Sequence, residues 1–341
     1  MPPGDLDGKT IPGVARENPD ARERLEDVLL SPETHIAGDR DRDQPTRPAN
    51  ETNGAVLDPQ RPIGQILVMA GRLTSKNAQR ILQVATRYSV RFGEAGLSLG
   101  LLQPDDLDFA LAQQFSFPYI PRGDTSMSRD LLAAYAPEHA LVEQLRGLRN
   151  QILMRANSGK NGAVARPQPV VSVVSVSRGD GRSFIAANLA AVFAQQGERT
   201  LLIDADMRNP KQDALFKLTN RAGLSTMLAG RSGIETVHRI RALGRLYVLT
   251  AGPTPPNPTE LLGRELFTQM LDSAAANFKA VIIDTPASDG SADAQVISSR
   301  AGSSILVARS NRTKLAQAKR FAQDLADSRA NVLGLVYNDR P

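Results

Sequence analysis

The chain has 341 residues, a formal net charge of +5, no cysteine and 4% aromatic residues. A sequence without cysteine excludes disulfides, thiolate nucleophiles and zinc–cysteine sites. So small a charge, with so few aromatic rings, does not favour a nucleic-acid-binding surface, and we expect no nucleic-acid partner. The length suggests about two domains.

Residues 1–60 are rich in Pro, Asp, Arg, Glu and Asn and lack a periodic apolar pattern. Such a segment buries too little apolar surface to fold, so we predict a mostly disordered tail, with a short helix over residues 21–30. The polar start MPPGDLDGKT is not typical of a signal peptide, and no stretch is long and apolar enough to span a membrane. We therefore expect no membrane span.

Residues 61–120 contain an internal repeat. RPIGQILVMAGRL is echoed by VRFGEAGLSLGLL, with glycines and leucines recurring at an offset of 29 residues. This pattern predicts a small, mainly helical domain with two similar halves. Residues 121–169 are interpreted as connecting helices and a flexible linker, because ANSGKNGAVARPQP is rich in turn-forming residues.

The segment VVSVVSVSRGDGRSFIAANLA, residues 170–190, has the pattern of a buried strand, a glycine loop and a helix in succession. This order predicts a P-loop, in which backbone N–H groups and a helix N-terminus bind phosphate. Val176 and Arg182 stand where the pattern G-x-x-x-x-G-K-[ST] has its first glycine and its lysine. The alternative is a plain glycine turn. The candidate nucleotide-binding residues are Arg178, Gly179, Asp180, Gly181, Arg182, Ser183 and Phe184.

Two further predicted strands end in aspartates, one at Asp204 and Asp206 and the other at Asp284. Because the carboxyl ends of parallel strands meet at one edge of a sheet, we expect these carboxylates beside the P-loop. Ser183 and Asp284 are the expected Mg²⁺ ligands. The alternative is that the aspartates only cap the helices that follow.

The predicted fold class is therefore α/β, a P-loop NTPase-type parallel sheet with helices on both faces over residues 170–341. A small, mainly helical domain and a disordered N-terminal tail precede it.

In five segments the chain resembles the bacterial tyrosine autokinases of capsular and exopolysaccharide export, in particular the EpsG-like chain-length-determinant kinases. In chain order, between residues 138 and 338, the segments are SVSRGDGRS, LLIDADMRNP, GLSTMLAG, AGPTPPNPTELLGRELF and VIIDTPA. The resemblance implies a protein tyrosine kinase that uses ATP and Mg²⁺. It implies catalytic roles for Arg182, Asp204, Asp206 and Asp284, with Asp204 or Asp206 orienting the tyrosine hydroxyl. We expect Arg208 to pair with one of these carboxylates.

Glu143, Arg146 and Arg149 match the family pattern E-x-x-R-x-x-R and share one side of a predicted helix. The resemblance implies that this helix contacts a neighbouring subunit of a homo-oligomer. Spacing alone favours a solvated charged face with weak internal ion pairs.

The resemblance also implies an integral-membrane partner, a chain-length-determinant (polysaccharide co-polymerase) protein. That partner would hold the chain at the cytoplasmic side of the inner membrane. The family's tyrosine-rich C-terminal tail is not found in this sequence, and Tyr337, in the expected last strand, is predicted to be packed. We therefore expect either an acceptor on another protein or nucleotide binding with little transfer.

The repeat in residues 61–120 resembles the N-terminal domain of type II secretion and pilus assembly ATPases, some of which bind cyclic di-GMP. The resemblance implies cyclic di-GMP as a second ligand, with candidate contacts from Arg61, Gly64, Arg91, Gly93 and Gln114. The alternative is a helical docking domain without a ligand.

Three functions follow from these patterns. The favoured one is a tyrosine kinase that regulates exopolysaccharide chain length, polymerisation or export. The second is a non-catalytic, nucleotide-responsive scaffold of the same system, with or without sensing of cyclic di-GMP. The third is a partition-type positioning ATPase, which ranks last because those proteins carry a lysine where this chain has Ser177.

Overall fold

The structure is a computed structural model that describes residues 61–115, 117, 118, 120, 123–156 and 166–340. The predicted disordered tail, its short helix and most of the predicted linker lie outside these residues. The chain divides into two compact units between Phe117 and Pro118.

The first unit consists of four helices. They are α1 (Ile63–Met69), α2 (Ser75–Tyr88), α3 (Phe92–Ser98) and α4 (Pro104–Gln114). The second pair of helices follows the first at the same 29-residue offset as the sequence repeat. Gly71 and Gly100, which are equivalent in the two halves, both have a left-handed backbone with φ of 66° and 65°. The apolar side chains between the halves form a core of their own, which includes the fully buried Ile66 and Ile81.

The second unit is a seven-stranded sheet flanked by helices. Its helices are α5 (Leu132–Tyr135), α6 (Ala140–Ala156), α7 (Arg182–Ala194), α8 (Gln212–Phe216), α9 (Leu224–Leu228), α10 (Pro258–Gly263), α11 (Glu265–Asn277), α12 (Asp293–Ala301) and α13 (Leu315–Asp327). Its strands are β1 (Val170–Ser175), β2 (Thr200–Asp204), β3 (Val237–Ile240), β4 (Leu246–Leu249), β5 (Ala280–Asp284), β6 (Ser303–Arg309) and β7 (Asn331–Asn338).

The strand order is β3-β4-β2-β5-β1-β6-β7. All neighbouring strands are parallel except β3 and β4. The predicted α/β fold with a mainly parallel sheet is confirmed. Strands β1, β2 and β5 are buried on both faces, which explains why their sequences are mainly apolar and show no alternation of apolar with exposed polar residues.

Helix α7 covers the centre of one face of the sheet. Its residues from Ile185 to Ala194 are all buried, because small alanines let it pack closely between the strands and helices α5 and α6. A separate apolar cluster, which includes α11 and α12, covers the opposite face. The layers fix the carboxyl ends of β1, β2 and β5 at one edge of the sheet. No helix within the described ranges is long and apolar enough to cross a bilayer.

Candidate nucleotide-binding site

The loop between β1 and α7 has the backbone shape that the glycines predict. Gly179 and Gly181 have φ of 87° and 101°, backbone angles that residues other than glycine rarely adopt. The backbone N–H of Ser177 donates to Asp180 Oδ2 at 2.9 Å and closes the loop from within. Asp180 is fully buried, and its Oδ1 has no hydrogen-bond partner in the described part of the chain. Arg178, at the tip of the loop, is exposed.

Two strand ends on the far side of the loop hold it in place. Arg309, the last residue of β6, donates from Nη1 to the carbonyl of Gly179 at 2.7 Å. Asn338, the last residue of β7, donates from Nδ2 to the carbonyl of Asp180 at 2.9 Å. A Cβ on Gly181 would overlap Asn338 Nδ2. Neither contact was predicted, because nothing in the local sequence links these strand ends to the loop.

The Arg182 side chain turns into the protein and is 6% exposed. Its Nε donates to the carbonyl of Thr285 at 2.9 Å, and its Nη1 donates to the carbonyl of Ser177 at 2.9 Å and to Ser175 Oγ. Arg182 therefore ties the end of β1 to the residue that follows Asp284. Sequence reasoning placed a phosphate-neutralising cation here and did not foresee this link.

Asp204 organises the loop between β2 and α8. Its Oδ1 accepts from the N–H of Asp206 at 3.1 Å, and its Oδ2 accepts from the N–H groups of Lys211 and Gln212 at 3.0 and 2.9 Å. Burial and the charge of Asp284 raise the pKa of Asp204, and the backbone hydrogen bonds act in the opposite direction. With both oxygens in use, Asp204 holds the loop in shape and has little capacity left for a ligand.

Asp206 differs from Asp204 in this respect. Its Oδ1 accepts from the N–H of Asn209 at 2.9 Å, while its second oxygen makes no hydrogen bond to any described residue. Of the two aspartates, Asp206 is the one with a free acceptor.

Asp284 and Ser183 are brought together by Gln212, a residue that sequence reasoning missed. The Gln212 amide donates from Nε2 to Asp284 Oδ2 at 2.8 Å and to the carbonyl of Ser183 at 3.1 Å. Asp284 also lies directly opposite Asp204 in the β2–β5 register. The P-loop and both acidic segments therefore meet at one edge of the sheet.

Burial raises the pKa of Asp284 to about 6, although the hydrogen bond from Gln212 and the charge of Arg182 lower it. Asp284 Oδ1 and Gln212 Oε1 are buried acceptors without a partner among the described residues. Unsatisfied buried acceptors of this kind are uncommon in folded proteins and indicate a missing donor or cation.

The available ligands fit Mg²⁺. Among the residues that the structure describes, no group of three or more His, Cys, Asp or Glu side chains forms a metal cage. Mg²⁺ bound with a nucleotide needs no such cage, because it takes one or two protein oxygens together with phosphate and water oxygens. The Ser183 hydroxyl and the unpaired oxygen of Asp284 supply that set.

Arg208 does not pair with Asp204 or Asp206, so that expectation is wrong. Its Nε donates to Asp293 Oδ2 at 2.7 Å, and its Nη2 donates to Thr259 Oγ1 at 3.2 Å. These partners come from α12 and α10, and their distance along the chain hides the pairing from sequence reasoning.

The three residues of the E-x-x-R-x-x-R pattern have different surroundings. Arg146 pairs with Glu143 at 2.8 Å within the helix. Arg149 instead donates from Nη1 to the carbonyl of Val192 near the end of α7, and burial lowers its pKa. Arg149 therefore supports the fold of its own unit, whereas Glu143 is exposed and Arg146 is half-buried.

The repeat glycines of the helical unit are packing positions. A Cβ on Gly64 would lie 2.9 Å from Cζ of Phe92, and a Cβ on Gly93 would lie 3.0 Å from the methyl groups of Leu107. Each glycine therefore lets a side chain of the neighbouring helix approach closely.

The remaining three candidate cyclic di-GMP residues lie near helix ends of this unit. The N–H of Arg91 donates to Glu94 at the start of α3, and the Arg91 side chain is exposed. Gln114 donates from Nε2 to the carbonyl of Arg61 at 3.4 Å.

Tyr337 lies in β7, as expected for the last strand, but its side chain is 65% exposed. The prediction that it is packed is therefore wrong. The strand is at the edge of the sheet, and the Tyr337 hydroxyl donates to Ser310 Oγ at 2.9 Å.

The chain is similar to a known family of P-loop NTPases and to known tyrosine-protein kinases. The family model described as "ParA: NUBPL iron-transfer P-loop NTPase" matches residues 166–340. The tyrosine-protein kinase YwqD of Bacillus subtilis (strain 168) is 37% identical over 214 residues, which cover 63% of this chain and 87% of YwqD. The chain belongs to the bacterial tyrosine-protein kinase family.

Solved structures agree with this assignment. The kinase domain of Escherichia coli tyrosine kinase ETK has a TM-score of 0.58 and 31% identity, covering 64% of this chain and 82% of the other. The chimerical protein CapA2B2 has a TM-score of 0.57 and 33% identity, covering 68% and 98%. The family expected from the five sequence segments is confirmed, and these relatives favour a kinase over the partition-type ATPase.

Proposed function

We propose that this chain is an ATP- and Mg²⁺-dependent protein tyrosine kinase that regulates exopolysaccharide chain length, polymerisation or export. The observation that carries the proposal is the meeting of Ser183, Asp204 and Asp284 around Gln212 at the carboxyl edge of the sheet. Membership in a family of tyrosine-protein kinases supplies the reaction class.

The residues of the site would divide the work of phosphoryl transfer, which consists mainly of positioning and charge stabilisation. The backbone N–H groups from Gly179 to Ser183 would hold the β- and γ-phosphates. Ser183 and Asp284 would hold Mg²⁺, which when bound neutralises charge on those phosphates. Asp204 would keep the β2–α8 loop in place.

Asp206 would orient the acceptor, because it has the free carboxylate oxygen. In the transfer, the tyrosine oxygen forms a bond to the γ-phosphorus, the bond from that phosphorus to the β–γ bridging oxygen breaks, and the phenolic proton passes through Asp206 to water. A phenol with a pKa of about 10 gives up its proton reluctantly to a carboxylate, so alignment of the hydroxyl is the larger contribution of Asp206.

The proposal includes a homo-oligomer and an integral-membrane chain-length-determinant protein as partners. The partner would hold the kinase at the cytoplasmic face of the inner membrane. Glu143, which is exposed, and Arg146, which pairs with it, are the proposed oligomer contacts. Arg149 would act indirectly, by fixing α6 on α7.

The second candidate function is a nucleotide-binding scaffold without transfer, and the commitment of Arg182 to internal hydrogen bonds favours it. Incubation with γ-labelled ATP, Mg²⁺ and the cytoplasmic segment of the partner separates the two. Labelled phosphotyrosine that is absent with Asp206→Asn supports the kinase. Tight ATP binding with no labelled tyrosine would refute it in favour of the scaffold.

Cyclic di-GMP is a separate proposal for the helical unit, supported by the exposed Arg91 side chain. Titration with cyclic di-GMP tests it directly. Saturable binding that is lost with Arg91→Ala supports a ligand site. If the wild-type chain gives no heat or signal change, the helical unit does not bind cyclic di-GMP and a docking role is favoured.

A further inference from the structure

Three arginines lie on the β6 and β7 side of the P-loop, and two of them already have structural partners. Arg309 donates to the carbonyl of Gly179, and also to that of Arg340 at 3.5 Å. The Arg340 guanidinium stacks 4.3 Å from the centre of the Phe184 ring. Both arginines therefore brace the loop and the start of α7.

The arginine at the lysine position of the P-loop is also committed. Moving the Arg182 guanidinium onto a phosphate would leave the buried carbonyl of Thr285 without the donor from Arg182. It would also remove one donor from the half-buried Ser177 carbonyl, which keeps the hydrogen bond from Ser175 Oγ. Leaving buried acceptors unpaired opposes such a movement. Arg182 is therefore better suited to holding the loop than to following phosphate through the transfer.

Arg312, the third arginine on the β6 and β7 side of the P-loop, has no structural partner, within the described ranges, of the kind that Arg309 and Arg340 have. Its side chain is exposed, and among the described residues its guanidinium has no hydrogen-bond or ion-pair partner. It nevertheless lies against the P-loop, since a Cβ on Gly179 would be only 2.8 Å from Arg312 Nη1. A free guanidinium at this distance from a loop of phosphate-binding N–H groups can reach an anion bound there.

We propose that Arg312 is the phosphate-binding cation of this site and takes over the role that the P-loop lysine has in the general pattern. Arg182 then serves as a positioning residue that links β1 to β5. The inference rests on the proposed nucleotide-binding function and adds a specific residue to it. Because the loop from Ser310 to Thr313 is outside the P-loop motif, no motif search would find this cation.

The test is the affinity of the full chain for ATP with Mg²⁺, measured by isothermal titration calorimetry, together with the melting temperature without nucleotide. Arg312→Gln should weaken ATP binding about tenfold, the effect of losing one charge-assisted contact at an exposed position. Its melting temperature without ATP should stay unchanged, and Arg312→Lys should restore part of the affinity. Arg239→Gln is the matched control, because Arg239 is an exposed arginine on β3 at the opposite edge of the sheet.

Arg182→Lys should show the opposite signature, a lower melting temperature without nucleotide. ATP affinity of Arg312→Gln within twofold of wild type would overturn the inference. So would a tenfold loss accompanied by a lower melting temperature, since that would mark a structural role. A wild-type chain that binds no ATP would instead refute the proposed function itself.

Discussion

Asp284→Asn should make the nucleotide-free protein more stable, although it removes a proposed Mg²⁺ ligand. Burial raises the pKa of Asp284 from its ordinary value of 3.8 to about 6. Each pKa unit corresponds to about 1.4 kcal/mol, so the ionised carboxylate destabilises the folded state by about 3 kcal/mol above pH 6. Asparagine avoids that penalty but loses the attraction of Arg182, so we expect a net gain of about 1–3 kcal/mol.

The direction of the pH dependence follows from proton binding. Between pH 3.8 and about 6 the folded state holds a proton on Asp284 and the unfolded state does not, so the stability of the wild type falls as the pH rises through this window. The gain from Asp284→Asn should therefore be larger at pH 8 than at pH 5. Urea denaturation in EDTA, without nucleotide, measures both values.

The matched control is Asp289→Asn, which makes the same chemical change at an exposed position five residues further on. It should leave the urea midpoint unchanged at both pH values. If Asp284→Asn were less stable than wild type at pH 8, or if its effect on stability did not change with pH, then burial of the ionised Asp284 carboxylate would not destabilise the folded state.

Three further substitutions test the other parts of the site. Gly181→Ala should lower the free energy of unfolding by about 1–3 kcal/mol and abolish ATP binding, because the left-handed φ and the clash with Asn338 distort the loop. Normal ATP affinity of this variant would contradict the expectation. Gln212→Leu should lower the free energy of unfolding in urea by about 1–3 kcal/mol, since Asp284 loses a buried donor. An unchanged urea midpoint would show that the hydrogen bond from Gln212 to Asp284 does not stabilise the protein. Asp206→Asn should slow tyrosine phosphorylation at least tenfold in single-turnover assays while ATP affinity is retained, and parallel losses of both would argue against acceptor alignment.

The sequence was sufficient to predict the fold and the convergence of the site. Both rest on rules of parallel sheets, since buried strands show continuous apolar runs and their carboxyl ends meet at one edge. The positions of Ser183, Asp204 and Asp284 follow from these rules without knowledge of any side-chain conformation.

The details that decide chemistry depend on side chains that meet across long stretches of chain. Gln212 bridges two segments, and Arg208 binds Asp293, 85 residues away. Neither contact has a local sequence signal. The exposure of Tyr337 was missed for a related reason, because the apolar pattern of a strand does not reveal that it lies at the edge of the sheet.

The affinity for ATP over a Mg²⁺ titration, measured for the wild type and for Asp284→Asn, tests directly whether the three segments form one magnesium–nucleotide site. Mg²⁺ should strengthen ATP binding to the wild type, and this dependence on Mg²⁺ should be lost in Asp284→Asn. A wild type that does not bind ATP, or an Asp284→Asn variant with an unchanged Mg²⁺ dependence, would contradict the assignment of one magnesium–nucleotide site to the three converging segments.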